Sequence, residues 1–269
     1  MHNAAEDTVL KFYSQGGWDE ESGITEDARR FEDLRECARD YVSKCRLRLL
    51  HHIPKAGEKI LDMASGPIQY PEYLEFSKGF TKRYCVDLSS QALKSAERKL
   101  GEHGVYLCGS FFELEFAPET FDCAISLHTI YHMDRDLQEL AVRKLIAVCK
   151  PGAPVIIVYS NPQSLITRLE YFPRKLKAGL RKLKAGKHGA TSNDFYFYCH
   201  PLAWWKRFGD QAEVQIYPWR SFYSTHQKRL IPNNRFGRLI FSLLFRAESS
   251  FPRFFVKYFQ YPMIVLTKR

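Results

Sequence analysis

The sequence is short of paired cysteines, of acidic residues in its second half and of long apolar runs, and each shortage excludes something. Its seven Cys, at 37, 45, 85, 108, 123, 149 and 199, are odd in number and form no C-x-x-C pair. A disulfide framework and a structural zinc are therefore not expected, and a reducing, cytoplasmic setting is. Five of the seven sit in apolar or helical surroundings, where a free thiol behaves as a small hydrophobe. The longest apolar stretch of the tail, Leu239 to Phe245 with Ser242 admitted, falls far short of the roughly 20 residues that cross a bilayer. The first 30 residues carry Glu6, Asp7, Asp19, Glu20 and Glu21 and no apolar stretch, so no secretory leader is expected. The acid shortage is local: residues 161–269 hold 20 Lys+Arg and 5 Asp+Glu, whereas residues 1–160 hold 20 and 25. A mildly acidic front thus carries a strongly basic back, which implies an anionic partner for the latter.

What is present points to a packed α/β chain. Aromatic residues make up 14% of the 269, too many for a disordered segment. Short apolar runs at Lys59–Ala64, Arg83–Asp87, Val105–Cys108, Phe121–Leu127 and Pro154–Tyr159 alternate with amphipathic stretches, the rhythm of β-α-β units and a parallel sheet. Ser90–Leu100 and Arg135–Cys149 read as helices, the second entered through Asp134 as N-cap and ended by Pro151-Gly152. Thr25–His51 reads as one long helix with Phe31, Leu34, Ala38, Tyr41, Cys45 and Leu49 on one face. The first strand ends in the tight turn Leu61-Asp62-Met63-Ala64-Ser65-Gly66-Pro67, whose small residues let a ligand approach the backbone. The second ends in Asp87, where a carboxylate can hold two ribose hydroxyls or cap a helix. No Gly-x-Gly-x-x-Gly is present, against a plain NAD-type unit.

Over most of Lys55–Tyr159 the sequence resembles the class I S-adenosylmethionine-dependent methyltransferases. Ile60 to Pro67 is similar to the family's first motif and Cys85-Val86-Asp87-Leu88-Ser89 to its second. Gly109-Ser110-Phe111-Phe112-Glu113-Leu114 stands where an acid and adenine-flanking residues usually do. Phe121 to His128 resembles the fourth-strand motif, and Lys150-Pro151-Gly152 with Val155 to Val158 the junction to the fifth. The resemblance implies a seven-stranded, mostly parallel sheet with helices on both faces. It also implies S-adenosylmethionine as cofactor, S-adenosylhomocysteine as product, and no metal. Tyr13, Asp62, Ala64, Ser65, Gly66, Pro67, Asp87, Leu88, Ser110, Phe111, Phe112, Leu127 and His128 are the cofactor-binding residues it implies. Three positions depart from the pattern. Ala64 and Ile68 replace common glycines, and Ser110 replaces the acid that receives the adenine amino group.

The division expected is an N-terminal helical cover (1–57), a cofactor core (58–160), a basic insertion (161–199), a core helix and the sixth strand (200–219), an aromatic and basic insertion (220–260) and a seventh strand (261–269). Within these, Pro201–Phe208 reads as the helix, Ala212–Tyr217 as the sixth strand and Tyr261–Thr267 as the seventh. In the first insertion Arg174-Lys175-Leu176-Lys177-Ala178-Gly179 recurs as Arg181-Lys182-Leu183-Lys184-Ala185-Gly186. This segment, 174–187, reads either as a contact with an anionic membrane surface or as a solvated lid helix. The second insertion interleaves Phe236, Phe241, Phe245, Phe251, Phe254, Phe255, Tyr258 and Phe259 with basic residues. That pattern suits stacked bases, a cap on an apolar acceptor pocket, or a buried subdomain core with basic residues reaching outward.

Candidates for chemistry are few. His128 and His132 stand four apart after the fourth strand, where an imidazole could take a hydroxyl proton, pack, or touch the cofactor. Nothing near them has metal-ligand spacing. Tyr159 and Asn161, at the end of the fifth strand, and His200, before Pro201, are the candidate substrate contacts. The expected activity is methyl transfer to a hydroxyl on a small molecule, glycan precursor or lipid-linked acceptor. The rivals are a nucleic-acid methyltransferase that uses the basic half and a non-catalytic cofactor-binding protein.

Overall fold

The computed structural model describes residues 4–13, 18, 20–21, 24–169 and 196–269. Seven strands form one sheet: β1 (Gly57–Met63), β2 (Phe80–Asp87), β3 (Gly104–Cys108), β4 (Cys123–Leu127), β5 (Pro154–Val158), β6 (Ala212–Arg220) and β7 (Tyr261–Lys268). Their order across the sheet is β3-β2-β1-β4-β5-β7-β6. The first five pair in parallel, and β7 runs antiparallel between β5 and β6. Chain order reverses between β1 and β4, so a crevice opens beyond the C-terminal ends of those strands.

The central strands are apolar on both faces, as sheet strands covered by helices must be. Leu61, Val155, Ile157, Ile264 and Leu266 point to one side, into the core shared with Ala141, Val142 and Leu145 of α5 (Gln138–Val148) and with Trp205 and Phe208. Their neighbours Ile60, Ile156, Val158, Met263 and Val265 point to the other, against Leu49 and Phe76. Helix α4 (Ser90–Leu100) has the expected bounds, with Ser89 Oγ accepting the Ala92 N–H at the N-cap. Before the sheet lie α1 (Ala4–Phe12), α2 (Glu26–Phe31) and α3 (Glu36–Leu47); near its end lie α6 (Ser224–Leu230), α7 (Arg235–Ser250) and α8 (Pro252–Tyr258).

Several sequence expectations need correcting. Thr25–His51 is not one helix: the chain is extended at Glu32, between α2 and α3. The break turns the carboxylates of Glu32 and Asp33 inward and leaves Phe31 and Leu34 each 44% exposed, whereas Ala38, Tyr41, Cys45 and Leu49 are buried as expected. Asp134 does not cap α5; its carboxylate accepts the Asp136 N–H (3.0 Å) in a local turn, and Leu137 precedes the helix. Strand β6 runs to Arg220, beyond Tyr217, and the segment before it is a 3-10 helix, Leu202–Asp210. The basic repeat 174–187 lies outside the described residues. Among those described, no helix is long and apolar enough to cross a membrane.

Candidate active site

A cavity of about 590 Å3 occupies the crevice at the C-terminal ends of β1, β2 and β4. One end is built from the turn after β1. Ala64, Gly66 and Ile68 all take positive φ (59°, 57° and 50°), so the glycine-like conformation persists where two glycines have been replaced. A Cβ on Gly66 would stand 3.1 Å from the Trp18 ring, which stacks on Tyr13 at 4.3 Å. Small size and left-handed backbone are therefore both required at Gly66. The Asp87 carboxylate accepts the N–H groups of Gly66 (2.9 Å) and Ser89 (2.8 Å), tying the turn to the end of β2. Burial pushes its pKa up to about 6 against the pull of those N–H groups.

The other expected cofactor residues divide. Tyr13, Asp62, Ala64, Ser65, Pro67, Leu88, Phe111 and Leu127 line the cavity beside Gly66 and Asp87. Asp62 is also committed to the fold, since its Oδ2 accepts from Nε of the fully buried Arg83 (3.1 Å). Ser110 and Phe112 are not part of the lining. Instead the Ser110 hydroxyl donates to Glu6 of α1 (2.7 Å), and the Glu6 carboxylate is what borders the cavity. Lys144 of α5 holds this loop by donating to the carbonyls of Phe111 (2.7 Å) and Phe112 (3.2 Å). Tyr13 donates to Asp27 (3.2 Å), whose pKa burial raises to about 6.

The opposite end is aromatic. His128 sits at φ 60° just past β4, with Nδ1 2.9 Å from the Tyr131 hydroxyl and its ring against Trp219 (4.7 Å) and Tyr261 (4.9 Å). Burial, reinforced by the Arg220 guanidinium and only partly opposed by Glu32, lowers its pKa to about 3. His132 also lines the cavity, with Nδ1 3.0 Å from the Tyr196 carbonyl; burial lowers its pKa, and that carbonyl partly restores it. Trp219 is the bulged residue of β6, at the shift of register between Pro218 and Arg220, and the bulge re-aims it. Behind it Glu32 accepts from Arg220 and from Arg46 (2.8 Å), forming a buried Arg-Glu-Arg cluster at the cavity wall.

Tyr159, Asn161 and His200, the expected substrate contacts, are not among the residues that line the cavity. Tyr159 continues the Val155-Ile157 side of β5 into the α5 core, where it donates to Gln138 (2.9 Å) and accepts the His200 N–H (2.9 Å). Asn161 donates to the Phe259 carbonyl (3.0 Å), and the His200 ring stacks on Trp204 at 4.3 Å. In their stead the structure brings forward Glu6, Asp27, Glu32, Trp219, Arg220 and Tyr261. A rule that residues at C-terminal strand ends face the ligand would have found Trp219 and Arg220 had β6 been read to its true end. Among the described residues, no group of three or more His, Cys, Asp or Glu is arranged to hold a metal ion.

Residues 61–157 match the family model described as "Methyltransferase domain". No curated protein matches the chain. Among solved structures, phosphoethanolamine N-methyltransferase 2 of Haemonchus contortus, in complex with phosphomonomethylethanolamine and S-adenosylhomocysteine, is similar at TM-score 0.51 and 15% identity, over 84% of this chain and 52% of that one. This chain thus spans about half the length of that protein. Magnesium protoporphyrin IX methyltransferase of Synechocystis PCC 6803, with bound S-adenosylhomocysteine, is similar at TM-score 0.55 and 12% identity over 98% of this chain and 100% of that one. Geranyl diphosphate C-methyltransferase of Streptomyces coelicolor A3(2), in complex with Mg2+, geranyl diphosphate and S-adenosylhomocysteine, gives TM-score 0.57 and 12% identity over 99% and 98%.

Proposed function

We propose that this chain, an S-adenosylmethionine-dependent methyltransferase of class I fold, transfers the methyl group to a hydroxyl on a small molecule, glycan precursor or lipid-linked acceptor. The observation that carries the reading is one cavity joining the Gly66–Asp87 turn to the His128, His132, Trp219 and Tyr261 wall. The similar solved proteins act on phosphoethanolamine, a porphyrin and geranyl diphosphate, so small-molecule acceptors are the precedent. The seven unpaired cysteines suit a reducing compartment, and the cytoplasm is the setting we assign.

The bound cofactor would supply an electrophilic methyl group on a sulfonium. The residues present fit it: a left-handed glycine turn at Gly66 beneath the Trp18 ring, a half-buried carboxylate at Asp87 with acceptor capacity left after two N–H bonds, and apolar walls at Leu88 and Phe111. We assign Glu6, held by Ser110, the adenine-reading part that an acid at position 110 plays in similar enzymes. Glu6→Gln and Ser110→Ala are each expected to weaken S-adenosylmethionine binding by about tenfold, the worth of one hydrogen bond to a charged group, read by calorimetry.

The two histidines share the acceptor's proton unequally. The His128 Nδ1 is engaged with Tyr131 and its low pKa makes it a weak base, so its part is to orient that hydroxyl. His132, also neutral at physiological pH but less deeply perturbed, is assigned as the proton acceptor. His132→Ala is expected to lower kcat by about 10²-fold with KM for the cofactor unchanged, while the acid limb of the wild-type rate profile lies below the ordinary imidazole range. Incubation with methyl-labelled cofactor and hydroxyl acceptors, polyprenyl-linked glycans first, tests the reading. Label recovered as an ether supports it, and label on nitrogen or carbon overturns the hydroxyl assignment.

A further inference from the structure

Helix α7 is anchored to the body on one side only. Its inner face presents Phe241, packed with Ala38, Tyr41 and Cys45 of α3, and the fully buried Glu248. Glu248 accepts from the Tyr41 hydroxyl (2.6 Å) and pairs with Arg48 (2.8 Å). The outer face is divided in two. At 3.6 residues per turn, Phe236, Leu239 and Leu243 fall within an arc of about 60°, and Arg235, Arg238 and Arg246 within the adjoining ~80°. These three apolar side chains, with Phe251 and Phe254 where α7 passes into α8, are each between 50% and 65% exposed. Arg253 and Lys257 continue the basic side on α8, and Glu248, the sole acid of 235–258, is turned inward.

We propose that this outer face of α7 and the start of α8 is a docking surface for an anionic lipid bilayer. A helix that lies in the headgroup region buries an apolar strip and sets cations beside it to meet lipid phosphates, which is the division seen here. Apolar area and charge both contribute. A second copy of the chain is the poorer occupant, because an isologous contact would bring two faces of net positive charge together, even with Arg238 paired to Glu36 (2.7 Å). The proposal concerns a surface separate from the cavity, does not depend on which acceptor is used, and differs from contact through the basic repeat 174–187.

The test is co-sedimentation of the full chain with phosphatidylcholine vesicles, with and without phosphatidylglycerol. The wild type is expected to bind the anionic vesicles and not the neutral ones. Phe236→Ser/Leu239→Ser/Leu243→Ser should weaken that binding by at least about tenfold, because each substitution removes an apolar anchor. Arg235→Gln/Arg246→Gln/Arg253→Gln should do likewise and serves if the first variant fails to fold. S-Adenosylmethionine binding and Tm should be unchanged in the folded variants. Equal binding to neutral vesicles overturns the proposal, as does binding that survives both triple variants but is lost when Lys175, Lys177, Arg181, Lys182 and Lys184 are neutralised. A wild type that ignores vesicles but dimerises or binds RNA through these residues overturns it too.

Discussion

Asp87→Ala is expected to remove saturable binding of S-adenosylmethionine and S-adenosylhomocysteine, a loss of about 10²- to 10⁴-fold. A hydrogen bond to an ionised group contributes ~1.5–3 kcal/mol, and each ~1.4 kcal/mol is tenfold in affinity, so losing a carboxylate proposed to hold two hydroxyls gives that range. The truncation acts a second way. It strips the acceptors from the Gly66 and Ser89 N–H groups, which releases the turn that shapes the cavity floor. Because burial lifts the pKa of Asp87 to about 6, the wild type should itself bind more weakly as pH falls through that value and the carboxylate is neutralised. Calorimetric titration of wild type and variant across pH 5–8 reads both effects. Full-strength binding by Asp87→Ala would remove this end of the cavity as the cofactor site.

The Gly66–Asp87 end of the cavity was legible in the sequence for a physical reason. Strands buried on both faces announce themselves as apolar runs, and the turn after β1 and the acid after β2 are fixed by their distance along the chain from those runs. Ser110 is the exception: its hydroxyl meets the carboxylate of Glu6, 104 residues away, and no spacing rule links the two. The aromatic end was largely illegible for the same reason. Glu32 and Arg220 meet across 188 residues, and the break that frees Glu32 from a continuous helix has no glycine or proline to mark it. Helical periodicity carried the reading straight through Glu32-Asp33-Leu34-Arg35, because burying two carboxylates against arginines is a tertiary event that overrides local pattern. The placement of Tyr159 is simpler. One step along a strand changes the face, and Tyr159 belongs with Val155 and Ile157 in the core.

Glu32→Gln is expected to destabilise the protein by about 3–5 kcal/mol, which at this size lowers Tm by roughly 10 °C. The carboxylate is 5% exposed and lies between the guanidiniums of Arg220 and Arg46. Burial alone would raise its pKa, yet Arg220 and Arg46, with the Asp33 N–H, overcome that and hold it at about 2 against an ordinary 4.5. The sign follows: a depressed carboxylate stabilises the fold fully above its unfolded pKa of about 4.5 and loses that contribution as pH falls toward about 2. Wild-type stability should therefore drop by ~3 kcal/mol over that window, and the variant's should drop less. A circular-dichroism melt at each pH separates the two. The cost in the variant falls chiefly on the buried Arg220, since Arg46 keeps Glu72 (3.3 Å), so adding Arg220→Met to Glu32→Gln should recover part of the lost stability, whereas a simple loss of packing would make the double variant worse. Activity need not follow stability. Arg220 adjoins the bulged Trp219 at the acceptor wall, so the restabilised double variant should still turn over poorly while binding the cofactor normally. That split would mark the cluster as the frame that sets the acceptor end of the cavity, independent of the end where Asp87 sits.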